Sequence, residues 1–322
     1  MTYALISGCI AALVATAAGS PFVAFLRARK LGKAISTDGP ASHMSKAGTP
    51  TMGGLLFVGT AIAVGLAAAV PKDRGVLLPI AVAAVMCAVG WYDDLGTLID
   101  REKREAHDRT TMILKLAGFA AVSVVAAYVL YDRIDAPQLL VPHYGSYDIG
   151  PVYLLVVVAV IVSMTSALGV TDGLDTLAGS TSAVAFGAFG TIALMEHQTG
   201  LATFCFVVTG ALLGFLWFNA HPARVFMGES GSLALGATLA IVGFMTGWWL
   251  LLPLIGVVFV IEILSDVIQI GSYRLRGTRV FRMAPLHHHF EQQGLPETRI
   301  AMRMLLLTVV ASLLAVALAA LD

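Results

Sequence analysis

The side chains able to do chemistry in this chain are acids, histidines and glycines gathered into a few short stretches. Asp93 and Asp94 are adjacent in "VGWYDDLGTL", directly after an apolar run. A helix C-terminus disfavours carboxylates, so two acids there call for a cation, a metal or a proton. Asp172 and Asp175 flank Gly173 in "TDGLD", where either Thr171 or Asp172 caps the following helix or the two acids form a cleft for hydrated Mg²⁺ or for ribose and base donors. Glu229 stands among Gly228, Ser230, Gly231 and Ser232, and small residues opening a helix offer backbone N–H groups to an anion such as a diphosphate. His287, His288 and His289 are consecutive, which does not suit one metal ion, because zinc sites space their ligands. They read as a polar, phosphate-facing loop in which histidine donates hydrogen bonds or carries protons. Carboxylates converging on a Gly-rich anion loop fit phosphoryl transfer, where catalysis is mostly positioning and charge neutralisation with Mg²⁺.

The elements that must hold these groups are hydrophobic spans. The 322 residues are 58% hydrophobic and 12% charged, with a mean hydropathy of +0.85. Soluble domains run at about 45–50% apolar and about 25% charged, so the composition excludes a soluble enzyme and gives an all-α polytopic membrane protein. Ten apolar runs are long enough to be read as spans, at about 3–26, 52–70, 76–91, 112–131, 151–169, 177–195, 201–218, 231–247, 249–270 and 300–321. The first lacks a basic leader and a cleavage site and is read as a retained span. Cys9, Cys87 and Cys205 fall inside runs without metal-ligand spacing and read as small core residues.

Of the 20 Lys and Arg residues, 17 fall on one set of loops and flanks; Lys72, Arg74 and Arg133 make up the other set. Cations are retained in the cytoplasm, so both termini are expected outside and the active site on the cytoplasmic face. These acids and histidines lie on that same face. No linker or repeat divides the chain, and 1–322 reads as a single membrane domain. Residues 132–150 carry a Pro, Gly and Tyr pattern that predicts a small hairpin. Arg274, Arg276, Arg279 and Arg282 serve either as cytoplasmic anchors or as contacts to anionic lipid or substrate.

The strings "DGPASHMSKAGTPTMGG", "DD" after the third run, "TDGLD", "NAHPARVFMGESGSLALG", "FVIEILS" and "RLRGTRVFRMAPLHHHFEQQGLPETR" run nearly end to end along the chain. In them the sequence resembles the phospho-N-acetylmuramoyl-pentapeptide transferase (MraY) family of the polyprenyl-phosphate hexose-1-phosphate transferase superfamily. The resemblance implies transfer of phospho-MurNAc-pentapeptide from UDP-MurNAc-pentapeptide to undecaprenyl phosphate, giving lipid I and UMP with Mg²⁺. It implies a homodimer among membrane lipids in a bacterial cytoplasmic membrane, and no nucleic-acid partner is expected. Position by position, Asp93, Asp94, Asp172 and His288 match catalytic positions, and Glu229, with Asp93 and Asp94, matches the metal site. Lys46, Thr51, Gly173, Leu174, Asp175, Asn219, Phe226, His287 and His289 match substrate contacts, with Phe226 as the base-stacking face.

The sequence departs from that pattern at several positions. Thr97 stands where the family has Lys, and Arg109 is the nearest cation to a second family Lys further on. Ser166 and Gly169 replace two Asn, and Glu229 replaces an Asp. A diverged paralogue that takes another UDP-sugar or polyprenyl phosphate, or binds nucleotide without turnover, is therefore a second reading. A third is a proton-coupled transporter using Glu262 and Asp266, four apart on one face of the ninth run. The lack of matched broken helices in two sequence halves argues against it.

Overall fold

A computed structural model describes residues 1–29, 48–96, 101–132, 138–141 and 144–321; for 101–109, 111, 138 and 139 it describes the backbone alone. Lys46 and Thr97 lie outside the described residues. Every apolar run is helical, as it must be where lipid offers the backbone no hydrogen-bond partner. The helices are α1 (Thr2–Ala28), α2 (Gly54–Ala68), α3 (Leu77–Gly96), α4 (Arg101–Asp132), α5 (Val152–Thr171), α6 (Leu177–Met195) and α7 (Thr199–Asn219). They continue with α8 (Glu229–Thr246), α9 (Leu252–Ile255), α10 (Val257–Arg276), α11 (Leu286–Glu291) and α12 (Glu297–Ala319). The expected hairpin is present: β1 (Gln138–Val141) and β2 (Gly145–Asp148) pair antiparallel, with Leu139 opposite Tyr147.

The count of ten spans needs correction. Among the described residues, eight helices are long and apolar enough to cross a membrane, or nine if a bent pair is one span. Helix α2 has 15 residues, which rise only about 22 Å at 1.5 Å each, against a hydrocarbon core of ~30 Å. The ninth run is bent by 78° between Trp249–Ile255 and Val257–Arg276. Apolarity is continuous through this region, but the helical path breaks at Gly256, between α9 and α10.

Helix α8 lies at the centre, against α2, α3, α5 and α6, and every residue from Ser230 to Thr246 is buried. Its glycines, alanines and serines let backbones approach closely, as is usual where lipid supplies no hydrophobic drive between helices. The long contact of α1 with α7 and the packing of α6 on α7 and α12 complete the bundle. Hydrogen bonds described below gather the C-terminal ends of α3, α5 and α7 with the N-terminal ends of α2, α6, α8 and α12.

Candidate active site

Successive residues on a helix diverge by about 100°, so Asp93 and Asp94 at the end of α3 face different partners. Asp94 is 4% exposed and turns towards α8. Its Oδ1 accepts the Glu229 N–H and its Oδ2 the Ser230 N–H, each at 3.1 Å. Oδ2 of Asp172, at the end of α5, accepts the preceding N–H, that of Gly228, at 3.2 Å. Two acids from other helices thus cap three successive donors of α8, whose own N-cap residue has no side chain. The expectation that these donors face a diphosphate is therefore corrected, because protein carboxylates already take them. Gly228 has φ +74°, and a Cβ there would lie 2.6 Å from Asp94 Oδ2 and 2.7 Å from Thr51 Oγ1, so the crossing of these groups requires glycine.

Asp93 faces the other way. Lys115 of α4 places Nζ 2.9 Å from Asp93 Oδ2 and 3.3 Å from Glu229 Oε2. All three side chains keep about a quarter to a third of their surface exposed. The helix-end problem is thereby resolved twice: α8's positive end answers Asp94, and an ammonium answers Asp93. Sequence reading missed Lys115 as a site residue; its signal was a single cation inside the run 112–131. Lys115 thus meets the acids where the sequence pointed to Arg109, whose side chain lies outside the described residues. Gly169 is close by, since a Cβ there would lie 4.0 Å from Glu229 Oε2.

The loop between α5 and α6 is held from several sides. The Asp175 N–H donates to Glu297 Oε1 on α12, and the Thr176 N–H to Asn219 Oδ1 at 2.9 Å. Asn219 Nδ2 in turn donates to Val225 O at 3.0 Å. Thr176 holds φ +69°, a left-handed conformation that such braces must stabilise. Asp175, 3% exposed, accepts from Ala223 N–H and pairs with His221 Nδ1 at 3.0 Å. Asp175, His221 and Glu297 bring one ligand atom each within 4.8 Å of the others. His221 and Glu297 were not singled out from the sequence, although both stand in the quoted strings.

Several expected substrate contacts are placed in the interior. Leu174 packs with Leu177, Val258, Ile300 and Met304 as core. Thr51 is 2% exposed and Asn219 5%, and Asn219 acts as the brace just described. His287 is buried against Glu262, while His288 pairs with Glu291 at 2.7 Å. His289 accepts from Arg282 N–H at 3.1 Å and packs edge-on to Phe281. The three histidines therefore have three separate partners, not one shared phosphate-facing surface. Phe226 is half-buried, its backbone bonded to Pro50 O and Gly53 N–H, both at 2.8 Å. The segment 50–54 thus holds the loop that leads into Glu229.

That segment lies within residues 46–58, which match the phospho-N-acetylmuramoyl-pentapeptide-transferase signature 1. Residues 76–247 match glycosyl transferase family 4. A phospho-N-acetylmuramoyl-pentapeptide-transferase of Chloroflexus aurantiacus is 40% identical over 334 residues, covering 99% of this chain and 90% of that protein. The chain belongs to the phospho-N-acetylmuramoyl-pentapeptide-transferase family. Relatives with the same name from Geobacillus thermodenitrificans (41% over 283 residues, 87% of this chain and 86% of that protein) and Bacillus anthracis (38% over 299 residues, 92% and 91%) agree. Membership and the apolar helices together make this family member a multi-pass membrane protein. Asp93, Lys115 and Glu229, which meet in its structure, come from three helices, α3, α4 and α8.

Proposed function

We propose that this protein transfers phospho-MurNAc-pentapeptide from its UDP carrier to undecaprenyl phosphate, forming lipid I and UMP. It acts as a homodimer of single-domain chains in a bacterial cytoplasmic membrane, with termini outside and the site facing the cytoplasm. The observation that carries the reading is the Asp93–Lys115–Glu229 cluster in a chain of this family.

The lipid phosphate is a monoester that titrates near pH 6 and is already largely a nucleophile at neutral pH. One of its oxygens attacks the sugar-side phosphorus; a new P–O bond forms, and the bond to the UMP oxygen breaks, leaving UMP with the electron pair. The barrier is repulsion between anions, so cations and positioning must do most of the work. Asp93 and Glu229 already converge on one cation, the Lys115 ammonium. Their hard oxygens fit Mg²⁺, which when bound supplies neutralisation of the diphosphate charge. Lys115 then stands beside the transferring phosphate, while Asp94 and Asp172 fix the start of α8 and hence the position of Glu229. Asp175, Gly173 and Phe226 frame the nucleoside, and His288 serves the transfer from α11.

The replacement of Asp by Glu229 and of Asn by Gly169 favours the diverged-paralogue reading on chemistry, yet the two changes are spatially linked. Side-chain volume lost at Gly169 lies where the longer acid reaches, which supports a retained site. The deciding experiment measures UMP release by purified protein given UDP-MurNAc-pentapeptide, undecaprenyl phosphate and Mg²⁺. Release that is abolished by chelation and restored by Mg²⁺ is expected. No release from protein that still binds the UDP-sugar would sink the reading and favour the paralogue.

A further inference from the structure

Glu262 on α10 and His287 on α11 are both fully buried. An ionisable group inside an apolar span is expensive and needs a partner. Oε2 of Glu262 accepts the His287 backbone N–H at 3.2 Å and lies 3.0 Å from Nδ1 of the same ring. Oε2 already accepts the backbone N–H, so Nδ1 is assigned as the protonated ring nitrogen, donating a hydrogen bond to the same oxygen. The other ring nitrogen is aimed at the loop between α5 and α6. A Cβ added to Gly173 would lie 2.3 Å from His287 Nε2 and 2.9 Å from Cε1. His287 Nε2 and Glu262 Oε1 are buried without a hydrogen-bond partner among the described residues.

We infer that Glu262 is a positioning residue of the nucleotide site: it locks the His287 ring as a strut against Gly173 and so sets the position of "TDGLD". The inference rests on the proposed role of that loop as the nucleoside pocket. The loop's other braces come from Gly228, Asn219 and Glu297, so the strut supplies a fourth side, from α11 held by α10. Only glycine at 173 admits the imidazole, and only an acceptor at 262 orients it.

The test uses full-length protein in nanodiscs, as wild type, Glu262→Gln and Glu262→Ala. UMP affinity is measured by calorimetry, KM for each substrate by UMP release, and folding by thermal melting. Removing the hydrogen-bond partner of the His287 ring and backbone predicts UMP affinity weakened, and the nucleotide KM raised, by about 10-fold in Glu262→Ala. The KM for the polyprenyl phosphate stays unchanged. Glu262→Gln recovers most of the loss, because its amide oxygen can accept from the same two donors. NMR of ¹⁵N-labelled histidine shows His287 protonated at Nδ1 in wild type and Glu262→Gln. Folded Glu262→Ala that binds UMP like wild type, an Nε2–H tautomer in wild type, or equal rises in both KM values would each overturn the inference. Wild type that binds UMP without turnover would remove the transferase reading and leave this one standing.

Discussion

The Asp93–Lys115–Glu229 cluster and the braced loop around Asp175 are both rich in charge, but they settle it differently. In the cluster, partly exposed side chains satisfy one another. In the loop, buried side chains bond to backbone across long sequence separations, as Asn219 does with Thr176 and Val225. Exposed ion pairs are worth ~0–1 kcal/mol, so substrate phosphate or a metal can draw the cluster apart at little cost. Leaving a buried donor or acceptor unpaired costs about 1–3 kcal/mol, so the loop stays fixed while the cluster exchanges partners. The difference separates residues that work on the substrate from residues that hold the place where it sits.

The sharpest test of that division is Lys115→Met, expected to lower kcat for UMP release by about 10²–10³-fold, as loss of a charge-stabilising donor does elsewhere. The melting temperature should hardly move; a large fall in it would make Lys115 structural and erase the contrast. Next is Asp94→Ala, which strands two N–H groups of α8 and should destabilise the protein by about 1–3 kcal/mol in thermal or denaturant unfolding. Asp93→Ala should reduce turnover without that loss, and equal melting curves for the two variants would break the assignment. On the loop side, Asn219→Ala should weaken UMP binding roughly 10-fold while kcat stays near wild type. The smallest effect is a coupling: Gly169→Asn crowds Glu229, and adding Glu229→Asp should recover roughly 1 kcal/mol of transition-state stabilisation in a double-mutant cycle. Additive losses would show that the two positions are independent.

Much of this arrangement is legible from residue types. Apolar runs place the helices, because lipid admits few alternatives, and the strings "DD", "TDGLD" and "FMGESGS" mark the three helix ends that meet. What a linear reading cannot assign is direction. Asp93 and Asp94 look equivalent as a pair, yet a 100° turn sends one to an ammonium and the other to α8. Lys115 was hidden by its surroundings, since a lone cation near a span edge resembles an ordinary anchor. The family resemblance implies that Leu174, Asn219 and His287 touch substrate, whereas Leu174 packs in an apolar cluster, Asn219 bonds to the backbone of Thr176 and Val225, and the His287 ring turns to Glu262. The bend before α10 was obscured for the opposite reason: continuous apolarity suggests one straight span, and a single glycine is a weak signal against it.

The capping of α8 by Asp94 and Asp172 also bears on how the chain is assembled. Among the eight candidate spans α8 is the least apolar, and its first donors would be left bare in lipid, where each unsatisfied group costs several kcal/mol. Both acids belong to helices made earlier in synthesis, α3 and α5. By the time the ribosome delivers Glu229, the receptor for the new helix end has already been made, so α8 enters a protein-lined slot, and α11 and α12 complete the site only afterwards.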